Sequence, residues 1–422
     1  MALTRPARRV AAPVVAVLAV GCGGPHAGPP PPGLGPGPAP WAVVVIPEAG
    51  ASAVGLAVVV AGSGWEDERR SGATLLAAEA LLEESAAGLE TLGASASVSC
   101  GRWAFVFTVV APPETWRAAA EILASGLSDP APTVSGLERA RARLAASLAL
   151  DRASPAWQAR LAAGRALYGD GAVQGRESAW SRPGCGVPET LPLIDLAAVR
   201  AAGERLGQVA SVAAVGSVDA AAGGRLASAF RPGGVTAAFP LPGRASPGRV
   251  YVERNTVTAW VSVAWPYGPD ADAEAVRLVG SLLADAVRPG LSRPEILHAG
   301  AEVERHGRGG ALVVTAVVAP ERAEVVATTL EAEVWRLAAG TGPEAGIERV
   351  SRRHRGVRLR ELSSPEARAA RIALERAAGA AAGPWPAPGS WTWAAAREAA
   401  RALGPPARAV VGPRAARAAA VP

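Results

Sequence analysis

The chain has 422 residues, 50% of them hydrophobic and 19% charged, which excludes a disordered polymer and leaves room for two or three cored domains. Its 43 basic residues, all arginine, outnumber 37 acidic ones and give a net charge of +6. These arginines are spread along the chain instead of forming one patch, so the sequence predicts no nucleic-acid partner.

At the N-terminus Arg5, Arg8 and Arg9 precede an apolar run from Val10 to Val20. A bilayer span needs about 20 apolar residues, so this shorter run reads as the apolar part of an export signal. It closes on "LAVGC", with Gly21 directly before Cys22. That ending resembles a bacterial lipoprotein signal occupying residues 1–22, cleaved before Cys22, whose thiol is then lipidated. A plain secretory signal is the alternative. Ala19 stands where the lipoprotein pattern prefers leucine. Gly23 follows the cysteine, with no Asp to retain the protein at an inner membrane. The expected location is the cell envelope, lipid-anchored on the periplasmic side of the outer membrane. Residues 23–40, rich in Pro and Gly, read as a tether with no core of its own.

The body begins with an apolar strand, Leu56 to Ala61, an acidic turn through Glu66, Asp67 and Glu68, and a helix entered at Gly72. Next, "AFVFTVVAPPE" from Ala104 is a β-rich run closed by an Ala-Pro turn, and "TWRAAAEILASGL" continues it as a helix. The same sequence of events recurs as "ALVVTAVVAPE" from Ala311, followed by "RAEVVATTLEAEVWRL". Each half reads strand, strand, helix, strand pair, helix, long helix pair, strand. Two long repeats of this kind are two similar domains and not a solenoid. The pattern predicts an α+β fold: two tandem homologous domains, each an antiparallel sheet covered by helices on one face. The domains fall at 41–232 and 249–422, with a linker at 233–248 rich in Gly and Pro. Beyond Cys22 only Cys100 and Cys185 remain, and they read either as a disulfide or as two separate thiols.

Several stretches together carry a resemblance. They are "AGSGWEDERRSGATLLAAEALLEES", "LETLGASASVS", "GLERARARLAASLALDRASP" and "VAAVGSVD" in the first half, and "GRVYVERNTVTAWVSVAWP" and "SSPEARAARIALERAAG" in the second. In order and spacing, from Trp41 to about Ala415, the chain resembles the insulinase/pitrilysin family of zinc metallopeptidases. Active members of that family carry H-x-x-E-H on the helix that starts here. Its two histidines share a helix face and bind Zn²⁺, and its glutamate is the general base. Counted from Gly72, the histidine positions are Leu75 and Glu79, the base position is Ala78, and the third-ligand position falls near Ser147. None of these residues except Glu79 is a metal donor, so the resemblance implies a non-catalytic member without zinc or any other cofactor. Glu79, Glu83 and Glu84 read as a solvated helix face.

In two-subunit members of the family the inactive partner helps hold extended peptides, through an Arg and a Tyr of its second half. The matching region here offers Arg288 or Arg293, and His298 stands nearest the tyrosine's place. These three are the candidate substrate-binding residues, with ordinary surface positions as the alternative. The expected partners are a catalytic zinc-peptidase homologue, extended peptides, and a membrane through the lipid anchor. A scaffold role without proteolysis is the competing reading. Two further stretches are a basic run, Arg352 to Arg360, read as a solvated helix face or an anionic-lipid contact, and a Trp-rich loop, Pro384 to Trp393, read as a core cap or a partner patch.

Overall fold

The computed structural model describes residues 42–62, 70–130, 132–169, 185–219, 221–232, 248–287, 296–306, 309–341, 344–379 and 391–419. The signal segment, the tether and all of the linker except Gly248 lie outside them. The first half contains β1 (Ala42–Pro47), β2 (Val54–Ala61), α1 (Ala73–Thr91), β3 (Ser95–Cys100), β4 (Ala104–Ala111), α2 (Trp116–Ser128), α3 (Val134–Ala153), α4 (Pro155–Tyr168), α5 (Leu196–Leu206), β5 (Val209–Gly216) and α6 (Ala222–Ala229). The second contains β6 (Arg249–Glu253), β7 (Ala259–Tyr267), α7 (Ala273–Ala286), β8 (Ile296–His306), β9 (Gly309–Val318), α8 (Ala323–Ala339), α9 (Glu344–Glu361), α10 (Pro365–Ala377), α11 (Trp393–Arg401) and β10 (Ala407–Gly412).

Each half builds a five-stranded sheet, ordered β1-β5-β2-β4-β3 and β6-β10-β7-β9-β8. The two orders are equivalent strand for strand, as the repeat predicts. The sheets are antiparallel except at one pair in each, β1 with β5 and β6 with β10, which run parallel. These parallel pairs arise because the last strand of each half inserts between its first two. It must come back from the far end of the chain to do so, and the helices of the half supply that long crossover.

The burial of β2 and β5 shows how each sheet is covered. Seven of the eight β2 residues and all eight β5 residues are buried, so both faces of the sheet are covered. Side chains alternate between two cores, as a period of two requires. Leu56, Val58 and Val60 face the first half's own core with Leu76, Leu123 and Leu206. Ala57 and Val59 face a third core shared by the two halves. That shared core contains α4 and α10. Helix α10 of the second half lies across β2 and β5 of the first sheet, and α4 of the first half lies across β7 and β10 of the second. Each half thus covers its own sheet on one face and its partner's sheet on the other.

The exchanged helices start alike. Ser154 precedes Pro155 and Ser364 precedes Pro365, and each serine side chain accepts from a backbone N–H three residues on. Proline suits the first helical position because that N–H has no intrahelical partner. Small residues, Ala159, Ala163, Ala369 and Ala373 among them, let helix and sheet approach closely. Buried Ser211 of β5 seals one contact by donating to the Ala373 carbonyl at 2.6 Å. Among the described residues no helix is long and apolar enough to cross a membrane.

Candidate functional site

Helix α1 begins at Gly72, whose φ of 95° lies in the left-handed region. Gly186, at φ 79°, packs directly against it, so a side chain at either position would meet backbone. Cys185, beside this contact, donates its thiol to the Cys100 carbonyl at 3.4 Å. No disulfide joins Cys100 and Cys185, which are brought together from 85 residues apart. A separate hydrogen bond with the Cys100 side chain lowers the Cys185 thiol pKa below its usual value, against the opposing effect of burial.

The positions that the resemblance assigns to metal chemistry fall into two groups. Leu75 and Ala78 are buried in the first core, packed with Leu76 and Leu81. Glu79 and Ser147 lie outside it. Glu79 is half-buried and Ser147 is exposed. Ser147 lies one helical turn beyond Arg143, which is itself one turn beyond Arg139, so the three share a row along α3. That row runs beside α1. Arg139 donates to Glu83 at 2.7 Å and Arg143 donates to the other Glu83 oxygen at 2.6 Å. Arg143 also lies 3.6 Å from Glu79.

This clamp revises the expectation for the acidic face. Glu79 and Glu83 are mostly covered, with side-chain exposures of 22% and 17%, and are tied to arginines. Glu84 accepts from the backbone N–H of Thr133 at 3.1 Å and from its hydroxyl, so it secures the N-terminus of α3. The physical reason is the antiparallel α3, which sets two cations one turn apart against two acids one turn apart. Hydrogen bonds from Arg139 and Arg143 lower the Glu83 pKa, while burial raises that of Glu79 against the pull of Arg143. The residues present do not fit a zinc ion. Leucine and alanine donate nothing, and the two carboxylates are engaged by guanidinium groups. Among the described residues no group of three or more His, Cys, Asp or Glu could hold a metal.

Beside the clamp a groove of about 370 Å³ runs between α1 and β3, lined by Glu79, Glu83, Ala86 and Glu90 on one side and Ser95 to Val98 on the other. Among the described residues strand β3 pairs only with β4, which leaves its other edge open to pairing. Such an edge accepts an added extended strand.

Of the three candidate substrate-binding residues, Arg288 and Arg293 lie outside the described residues. His298 is exposed on β8, the edge strand of the second sheet, at a register shift against β9. It lies in a different sheet from the β3 groove. The basic run from Arg352 to Arg360 also departs from its reading as a fully solvated face. His354 is 5% exposed, its Nδ1 is 3.0 Å from the Ser281 hydroxyl, and its ring meets Trp391 edge-on at 4.6 Å. Arg358 is buried and donates to Glu361 at 2.5 Å. Only some positions of that run, such as Arg352, Arg355 and Arg360, are exposed. Trp391 and Trp393 pack against the second core, as a core cap does, and Pro384 to Ser390 lie outside the described residues. A periodicity-3.6 plot of α9 could have found the buried stripe, with His354 and Arg358 one turn apart.

The chain matches no protein-family profile and no curated protein sequence. Solved structures match it over most of its length. An inactive peptidase M16 domain from Pseudomonas fluorescens aligns with a TM-score of 0.70 at 14% identity, covering 88% of this chain and 96% of that one. A protease from Helicobacter pylori aligns at 0.69 and 12% identity, covering 88% and 97%. A chain of complex III from Candida albicans aligns at 0.67 and 14% identity, covering 89% and 94%. The shared property is the fold: the two-half α+β body of M16-type peptidases and of proteins related to them in structure.

Proposed function

We propose that this chain is a non-catalytic member of the insulinase/pitrilysin group that serves as partner subunit to a catalytic zinc-peptidase homologue. One observation carries the reading. The positions that hold metal and base in active members are here a buried Leu75 and Ala78 beside a Glu79–Glu83–Arg139–Arg143 clamp, yet the open edge of β3 and its groove are kept. A surface suited to an extended peptide, without a metal site next to it, supports holding over cutting. The similarity to an inactive M16 domain points the same way. In this reading the body encloses part of a peptide-holding cavity and Arg288, Arg293 and His298 contribute to its wall. The lipid on Cys22 tethers the chain at the periplasmic side of the outer membrane, and no cofactor is involved.

The test is to mix the purified chain with a homologue that carries an intact H-x-x-E-H and to follow cleavage of unfolded peptides. Co-elution on gel filtration and faster cleavage are expected, with no stoichiometric zinc on this chain by elemental analysis. Activity equal to that of the catalytic subunit alone, with no co-elution, overturns the partnership. Replacing Cys22 by Ser should move the protein to the soluble fraction, and persistence in the membrane fraction overturns the anchor.

The second reading is a scaffold with no role in proteolysis. One of the similar structures is a chain of complex III, and this favours it. A native assembly containing no peptidase is the outcome that would select it.

A further inference from the structure

The halves also meet at a cleft of about 330 Å³, formed by the β3–β4 turn, the end of β8, α4, α10 and Arg277 of α7. Its size is at the lower end for small-ligand sites. Its lining is of two kinds. Trp157, Leu161, Val303 and Leu374 make an apolar wall, and five arginines with two glutamates make most of the polar lining. Most of these charges are spoken for. Arg102 donates to Glu304 at 2.8 Å, and Arg371 donates to Glu375 at 2.5 Å and also to Glu274 behind the cleft. Arg160 is half exposed and lies 3.5 Å from Glu302.

Arg277 and Arg305 are different. The Nε–H of each is buried and has no hydrogen-bond partner. The nearest acid to Arg277 is Glu274 at 3.6 Å, a carboxylate already engaged by Arg371 and approached by Arg358. Arg305 has no ion pair among the described residues. Burial, with Arg371 close by, lowers the pKa of both groups, that of Arg277 to about 10. A buried charged donor without a partner costs at least about 1–3 kcal/mol, and a bound anion removes that cost.

We propose that this cleft binds a carboxylate carried on one apolar side chain, as in the C-terminal residue of a peptide or a free N-blocked amino acid. Arg305 and Arg277 take the carboxylate, and Trp157, Leu161 and Leu374 take the apolar body. Set against Glu304, Glu375 and the flanking Glu302 and Glu274, the five arginines leave a small excess of positive charge, and part of the lining is apolar. An amphipathic monoanion matches both features, whereas inorganic phosphate would leave the apolar wall unused. The site lies between the halves, at the Ser99–Cys100 end of β3 and next to the groove that Ser95 to Val98 form with α1, and it stands whether or not the chain has a peptidase partner.

Isothermal titration of the purified chain tests it, with N-acetyl-L-leucine, N-acetyl-L-leucinamide, inorganic phosphate, and a peptide ending in leucine either as the free acid or amidated. Saturable binding of the free acids is expected, at least tenfold tighter than of the matching amides or of phosphate. A peptide acid that outcompetes N-acetyl-leucine identifies a peptide terminus as the ligand, and equal binding identifies the small acid. Arg305→Ala should weaken acid binding at least tenfold. Because it removes a buried Nε–H that has no partner, it should leave the melting temperature of the empty chain unchanged or raised. Arg305→Gln is the second variant and should behave alike. No binding, equal binding of acid and amide, preference for phosphate, or undiminished binding by the Arg305 variants each overturns the proposal.

Discussion

The two halves repeat one order of strands and helices but hold their helices together by different electrostatics. In the first half α1 meets α3 through Glu79 and Glu83 with Arg139 and Arg143, a clamp whose cations are more than half exposed. In the second half the equivalent helices α7 and α9 meet through Asp285 with Arg349 and Arg353, and through buried Glu274, His354 and Arg358. Identical topology therefore leaves the polar energetics free. The depth at which the cations sit decides whether a pair is worth much or little, because water reaches Arg139 and Arg143 but not Arg358 and Arg371 beside Glu274.

The deepest carboxylate offers the sharpest way to break this contrast. Glu274→Gln leaves Arg277, Arg358 and Arg371 without the one acid they share, and should destabilise the chain by about 3–5 kcal/mol. Glu83→Gln, the matching change in the first half, should cost only about 0.5–1 kcal/mol. Urea unfolding of both variants, read as a shift in midpoint at constant slope, checks the ratio. Comparable losses would show that the two clamps are equally buried in solution.

The exchanged helices form a second contrast between the halves. A Cβ at Gly55 on β2 would collide with the Glu366 amide nitrogen of α10, a backbone contact that cannot move alone. Gly55→Ala should therefore cost about 3 kcal/mol. On the other crossover, a Cβ at Gly164 of α4 would meet only the tip of the Arg102 side chain, and Gly164→Ala should cost about 1–2 kcal/mol. Thermal melts of the two variants check the order.

His354 gives the second half a pH dependence of its own. Burial lowers its pKa to about 4, against about 6.5 in an unfolded chain. Between these values the unfolded chain binds the proton and the folded chain does not. Stability thus falls as the pH drops from about 6.5 toward 4, by up to about 1.4 kcal/mol per unit. The difference between the wild-type and His354→Gln stability curves should show that slope in that window and flatten above it. The smallest effect expected is a gain. Gly224 sits in α6, and a methyl group added there would have nothing within 4 Å of it, so Gly224→Ala should stabilise by about 0.5–1 kcal/mol.

The repeat of "AFVFTVVAPPE" as "ALVVTAVVAPE", with the strand and helix periodicities around it, determined two α+β halves, since alternation and the 3.6 period are local properties of the chain. The residues counted from Gly72 fixed which side chains occupy α1. Their surroundings were not legible. Glu79 and Glu83 read as solvated because nothing local shows that Arg139 and Arg143, about sixty positions on, come to lie beside them. The buried side of "RRHRGVRLR" was hidden for the same reason, since His354 and Arg358 are covered by contacts from α7 and Trp391. Three features were decided by tertiary structure alone. They are the return of β5 and β10 into each sheet, the exchange of α4 and α10, and the cleft that gathers Arg102, Arg277 and Arg305 from both halves. Pairing between distant segments depends on which apolar faces bury each other best, and a face records that it must be covered without recording what covers it.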